Sequence, residues 1–99
     1  MNVRHQLQGI EFEWNARKAE ANFNKHGIEF EIACEVFFDP LLRAEDGGVS
    51  DGERRDAVIG LTVNWQLLYV VYVMLYDDTI RIISARPATK AERKSYESQ

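Results

Sequence analysis

Leu67-Leu68-Tyr69-Val70-Val71-Tyr72-Val73-Met74-Leu75 is the longest apolar run in the chain. It reaches about half a bilayer span, too short to cross a membrane as a helix. Its residues are mainly β-branched, aromatic or leucine, and they are apolar at odd and even positions alike. That pattern predicts a strand buried on both faces and placed centrally in a sheet. Turn signals flank it, Asn64-Trp65-Gln66 before and Asp77-Asp78 after, both short enough for hairpins. Beyond them lie two more β-type runs, Arg55 to Val63 and Thr79 to Ala85. The three together predict an antiparallel meander with helices covering at least one face.

Further out the period changes. Ile10, Phe12 and Trp14 alternate with Glu11 and Glu13, which predicts a short half-buried strand. Asn15 is placed to cap a helix that runs to about His26, with Gly27 in the left-handed position just past its end. Ala16, Ala19 and Phe23 are expected to face inward on that helix. Lys18, Asn22, Lys25 and His26 share its polar face. A second helix is expected from about Glu29 to Phe38, with Phe30, Ala33, Cys34 and Phe37 as its apolar stripe, and Asp39-Pro40 ends it. Glu45-Asp46-Gly47-Gly48-Val49-Ser50-Asp51-Gly52 is too polar and glycine-rich to bury much, so a mobile exposed loop is expected there. Thr89-Lys90-Ala91-Glu92 is a capping-box pattern opening a last helix to about Glu97. The first ten residues show no pattern, and His5 among them is expected to be inert. The fold class that results is α+β, an antiparallel meander packed against N-terminal helices and a C-terminal helix.

Composition bounds the function. A chain of 99 residues has room for one domain, residues 1–99, and buries only about two-thirds of its unfolded surface, so a partner that covers more would add stability. Cys34 alone cannot form an internal disulfide, and two histidines with one thiol make no spaced metal-ligand set. No metal or cofactor is expected. The N-terminus lacks the apolar core of a secretory signal, and a cytoplasmic protein away from membranes is expected. Net charge is −4, which on its own disfavours a nucleic-acid partner. Its distribution is uneven, however. Residues 31–60 hold eight acids and three bases, whereas 81–99 hold Arg81, Arg86, Lys90, Arg93 and Lys94 against Glu92 and Glu97.

The motifs then carry a resemblance. Phe12-Glu13-Trp14-Asn15, Lys18, Asn22, Lys25-His26-Gly27-Ile28, Phe30, Ala33 and Val36-Phe37-Phe38-Asp39-Pro40 match the N-terminal half of BrnT-type toxins in order and spacing. Glu53, Arg55, Ile59-Gly60, Val70-Val71-Tyr72 and Ile80-Arg81-Ile82-Ile83-Ser84-Ala85-Arg86-Pro87-Ala88-Thr89, with Glu92, Arg93 and Tyr96, continue the match. The chain resembles this family from Phe12 to Tyr96. The resemblance implies a RelE-like ribonuclease fold, arrest of translation by RNA cleavage, and neutralisation by a BrnA-type antitoxin. It further implies a toxin–antitoxin hetero-oligomer that contacts operator DNA only through the antitoxin. Three features depart from the family: Asn15 stands for an aspartate, Val73-Met74-Leu75 replaces polar or charged residues, and the total charge is acidic.

Metal-free RNA cleavage requires a proton taken from the ribose 2′-OH, a stabilised phosphorane and a proton given to the leaving 5′-oxygen. His26 is the expected acid/base group, since imidazole titrates near neutrality, and Arg81 and Arg86 are expected to act on the phosphate beside it. Lys25, Lys18, Asn22 and Lys90 are expected to bind substrate. Plain structural roles stand beside these: His26 as a helix-end cap, Arg81 as an outward strand residue, Arg86 paired with an acid of the last helix. Cys34, Tyr72 and Tyr96 are read as packing residues, and Glu53 and Arg55 as an exposed pair without a role. The alternative function is a catalytically weak toxin-fold module that acts through antitoxin binding.

Overall fold

β5 (Leu67–Met74) lies between β6 (Ile80–Pro87) and β4 (Glu53–Leu61), as expected for a strand apolar on both faces. The computed structural model describes all 99 residues. Before these strands come β1 (Asn2–Leu7), β2 (Ile10–Asn15), α1 (Ala16–His26), α2 (Phe30–Ala33) and β3 (Arg43–Ser50), and α3 (Lys90–Glu97) ends the chain. The six strands form one sheet in the order β1-β2-β6-β5-β4-β3. Strands β4 to β6 make the expected antiparallel meander, and β3 extends it by one strand. The sheet as a whole is mixed, because β2 runs parallel to β6 through Phe12 opposite Ile80 and Glu13 opposite Arg81.

Three expectations are corrected. The segment 45–52 is mostly strand β3, paired with β4 from Arg43 opposite Ile59 to Ser50 opposite Glu53, and only its last two residues form the turn. Gly47 lies so close to β4 that a Cβ would stand 2.6 Å from the Asp56 carbonyl oxygen, and Gly48 takes a φ of +84° where the register slips. These glycines serve a bulged strand. The N-terminal stretch is likewise ordered, as β1, and the His5 ring lies 5.7 Å from that of Trp14. Phe23, expected inside, is 48% exposed, because α1 turns its Ala19 and Asn22 side toward the protein.

The second helix is short. After α2 the chain tightens into a 3₁₀ turn over Cys34–Phe38, a common way to close a helix where β-branched and aromatic residues crowd its last turn. Phe30, Ala33, Cys34 and Val36 from this segment meet Phe12, Trp14, Val58, Leu68, Val70 and Ile82 of the sheet in the main core. Val36 sits directly over Gly60, where a Cβ would come within 2.9 Å of the Val36 carbonyl oxygen.

α3 lies against β4 and buries no residue fully, so polar contacts hold it. Thr89 and Glu92 form the capping box. The Tyr96 hydroxyl donates to Asp39 Oδ2 at 2.6 Å, and Asp39 also accepts the backbone N–H groups of Leu41 and Leu61. Burial acts to raise the Asp39 carboxyl, but these three hydrogen bonds outweigh it and hold the group below its ordinary 3.8. Burial first, and the bond to Asp39 second, push Tyr96 from 10.0 up to about 12.

A depressed Asp39 contributes stability above its ordinary range and loses it as pH falls through the folded value. A raised Tyr96 contributes below pH 10 and loses it as pH rises toward 12. Tyr96→Phe is therefore expected to cost about 1 kcal/mol at pH 7, and to flatten the loss of stability seen in the parent above pH 10. Urea unfolding across that range checks both.

Candidate active site

The site begins where β2 leaves the sheet. After two parallel pairs with β6 the chain turns into α1, and the Asn15 side chain accepts the N–H groups of Arg17 and Lys18 at 2.9 and 3.1 Å. This leaves one edge of β6 beyond Arg81 without a strand partner. Asn22 fills the gap. Its Oδ1 accepts the Ala85 N–H at 3.0 Å, and its Nδ2 donates to the carbonyls of Ala85 and Ile28 at 2.9 and 3.1 Å. Expected to bind substrate, Asn22 instead is buried, with its oxygen and both amide hydrogens engaged by backbone. Its observed work is to dock α1 against β6.

That docking brings the polar face of α1 beside the solvent side of the sheet. One hollow of about 280 Å³ is lined by Lys18, Ala21, Asn22, Lys25 and His26 of α1 with Ile83 and Ser84 of β6, so Asn22, though its amide is engaged by backbone, still forms part of the wall. A second, of about 240 Å³, is lined by Lys18, Asn15, Arg81, Ile83, Arg55 and Glu53 among others. Lys18 and Ile83 line both, so the two adjoin. Ile83 reaches them because the β5–β6 register slips there: Ser84 faces Val71 and Ile82 faces Tyr72, leaving Ile83 unopposed. His26 and Lys25 occupy the last turn of α1, where the helix dipole favours cations.

Arg81 is held on the sheet face by Glu13, which is nearly buried. Arg81 Nε and Nη2 donate to Glu13 Oε2 at 3.0 and 2.9 Å, and Arg4 Nη1 donates to Oε1 at 3.2 Å. Arg81 Nη1 makes no such bond, and the side chain stays 42% exposed. Arg86 is differently placed. Its two Nη atoms fork onto Glu92 at 2.8 Å each, and its guanidinium lies 4.3 Å over the Tyr69 ring. Neither Arg86 nor Lys90 lines the two hollows. Lys18 and Arg81 therefore share one hollow, Lys18, Lys25 and His26 share the adjoining one, and Arg86 and Lys90, which sit with α3, line neither.

Arg55 was passed over in the sequence as half of an exposed pair. Its side chain is only 19% exposed, Glu53 Oε1 stands 3.8 Å from its Nε, and that Nε is buried with no hydrogen-bond partner. A desolvated guanidinium with an unmet donor calls for an anion. The signal lay in the alternation of β4: Arg55, Ala57 and Ile59 share a face, so Arg55 is the charged end of an otherwise buried row.

Other candidates fall away on chemistry. A larger hollow of about 460 Å³ is lined by Leu41, Leu61, Val63 and Trp65 with no cation, and its acids Glu35 and Asp39 already accept backbone N–H groups. Cys34 is fully buried, and burial first, with Glu31 adding to it, pushes its thiol up to about 12, far from a nucleophilic thiolate. Tyr72 packs edge-on against Phe37, with 5.0 Å between ring centroids. No helix is long and apolar enough to cross a membrane.

A family model described as the ribonuclease toxin BrnT of a type II toxin–antitoxin system matches residues 14–92. The chain belongs to that family. The matched span runs from Trp14 to Glu92 and so contains every residue gathered above from α1, β4 and β6. No curated protein matched the chain.

If Asn22 is the bracket between α1 and β6, Asn22→Ala orphans three buried backbone groups. The expected cost is about 2–3 kcal/mol of stability, read as a lower urea midpoint at unchanged slope. A variant as stable as the parent would remove that structural role.

Proposed function

We propose that this member of the ribonuclease toxin family cuts RNA without a metal ion in the two adjoining hollows between α1 and the face of β4 and β6. The observation that carries the reading is the convergence of Lys18, Arg55 and Arg81 on one hollow, with the Arg55 Nε donor buried and unmet. Three cations in a small hollow suit a phosphodiester far better than any neutral ligand.

In this reading Arg55 and the free side of Arg81 hold the non-bridging phosphate oxygens, and Lys18 and Lys25 carry the flanking backbone. The 2′-oxygen attacks the adjacent phosphorus as the bond from phosphorus to the 5′-oxygen breaks. One group removes the 2′-OH proton and another protonates the departing 5′-oxygen. We assign one of these transfers to His26, which lines the adjoining hollow, and the other to Glu53, the acid that lines the Arg55 and Arg81 hollow. Negative charge that builds on the phosphorane is met by guanidinium groups already fixed by Glu13 and by burial, so little reorganisation is needed. Products are a 2′,3′-cyclic phosphate and a 5′-hydroxyl.

Type II membership implies an antitoxin. The finer reading is a BrnA-type protein that neutralises the toxin in a hetero-oligomer in the cytoplasm and alone touches operator DNA. A second function, binding without catalysis, is favoured by one observation: Glu13 already occupies two donors of Arg81.

One assay separates the two. Induced alone in a bacterium, the parent is expected to stop growth and fragment cellular RNA. His26→Ala should lower cleavage about 10²–10⁴-fold and Arg55→Ala or Arg81→Ala about 10²–10³-fold, whereas folded Arg86→Ala should keep cleaving. Intact RNA and normal growth with the parent would sink the nuclease reading and leave the binding one.

A further inference from the structure

Val73-Met74-Leu75-Tyr76 is an apolar insertion in a site otherwise made of charge, and the phosphate chemistry above does not use it. The structure assigns it a place. Val73 stands directly opposite Arg81 on β5, so its side chain shares the Arg81 face at about 5 Å between strands. Val73, Met74, Leu75 and Tyr76 line a hollow of about 330 Å³ whose fifth wall is Glu53. Glu53 also lines the Arg55 and Arg81 hollow, so the apolar shelf continues the cationic one.

Tyr76 is fully exposed, yet the turn that carries it is pinned on either side. The Leu75 N–H donates to the Thr79 carbonyl at 2.9 Å, the Asp78 N–H to the Leu75 carbonyl at 3.2 Å, and the Thr79 N–H to Asp77 Oδ1. A ring projecting from a fixed turn beside two apolar side chains exposes more apolar surface than a lone surface residue needs.

We infer that this shelf is a base-stacking subsite: the nucleobase next to the phosphate held by Arg55 and Arg81 lies on Val73 and Leu75 and stacks on the ring of Tyr76. The inference rests on the proposed phosphate site. Single-stranded RNA alternates charge with flat apolar faces, and the surface here offers both in that order within a nucleotide's reach. Asp77 and Asp78, exposed at the same tip, repel phosphates and so steer the backbone toward the cations while the base takes the shelf. In this reading the apolar run supplies a base contact rather than leaving a gap in the site.

The test is equilibrium binding of a short single-stranded 2′-O-methyl RNA, which cannot be cleaved, carrying 2-aminopurine. Tyr76→Ala should weaken binding about tenfold, the size of one base–aromatic stack, and abolish quenching of the probe. Tyr76→Phe should stay within about twofold of the parent. An abasic nucleotide in place of the aminopurine should erase the difference between parent and Tyr76→Ala. If Tyr76→Ala binds like the parent while Arg81→Ala binds weakly, the shelf is overturned and the phosphate site survives. If the parent binds no RNA, both fall together. If Tyr76→Ala keeps its RNA affinity but loses affinity for the purified antitoxin, the patch belongs to the protein partner and the subsite is overturned.

Discussion

Everything on the functional face depends on how the open edge of β6 is closed. A parallel partner strand is started by β2 and abandoned after two residue pairs, when the chain turns into α1. The unpaired Ala85 N–H and carbonyl would carry a penalty if buried without partners. Asn22 meets both with a side-chain amide, the one group short enough to mimic a strand and long enough to reach from a helix. The consequence reaches past stability. With a helix in the place of a strand, Lys18 stands beside Arg81, and Lys25 and His26 beside Ile83 and Ser84, where a continued β2 would have presented a flat, paired surface.

Elements with strong local chemistry were legible in the sequence. The Asn15 cap, the Gly27 left-handed stop, the Thr89 and Glu92 box and the doubly apolar β5 each follow from a residue whose preference owes nothing to distant contacts. The two edge strands were not. β1 and β3 each pair on one side only, and β3 carries few apolar side chains because backbone bonds to β4, rather than burial, define it. Gly47 and Gly48 signal a turn when read locally. In the folded chain they permit close approach and a bulge, a distinction set by the neighbouring strand.

The site was half legible for a related reason. His26, Lys25, Lys18 and Arg81 fall on two recognisable elements, and they line two adjoining hollows that share Lys18. What residue type cannot show is which charges are already spent. Overall acidity argued against nucleic acid, yet Glu13 and Glu92 are committed to arginines, and much of the remaining acid lies along residues 31–60. Net charge is a sum over the surface, whereas a phosphate meets only the potential of one hollow.

That distinction also orders the arginines. Arg86 is satisfied twice over, by a bidentate carboxylate and by the face of Tyr69, and a phosphate would have to displace Glu92 to reach it. Arg81 is intermediate: Glu13 fixes two of its donors and leaves the rest exposed, which orients the fork without neutralising the hollow. Arg55 is least satisfied of the three: its buried Nε makes no hydrogen bond, and Glu53, at 3.8 Å, reaches it only as a loose ion pair. Desolvation without a partner is tolerated in a folded chain mainly where a ligand completes it. Of the three arginines compared, Arg55 is thus the one whose free energy changes most when an anion arrives, and the hollow around it is where binding can do chemistry rather than merely hold the chain together.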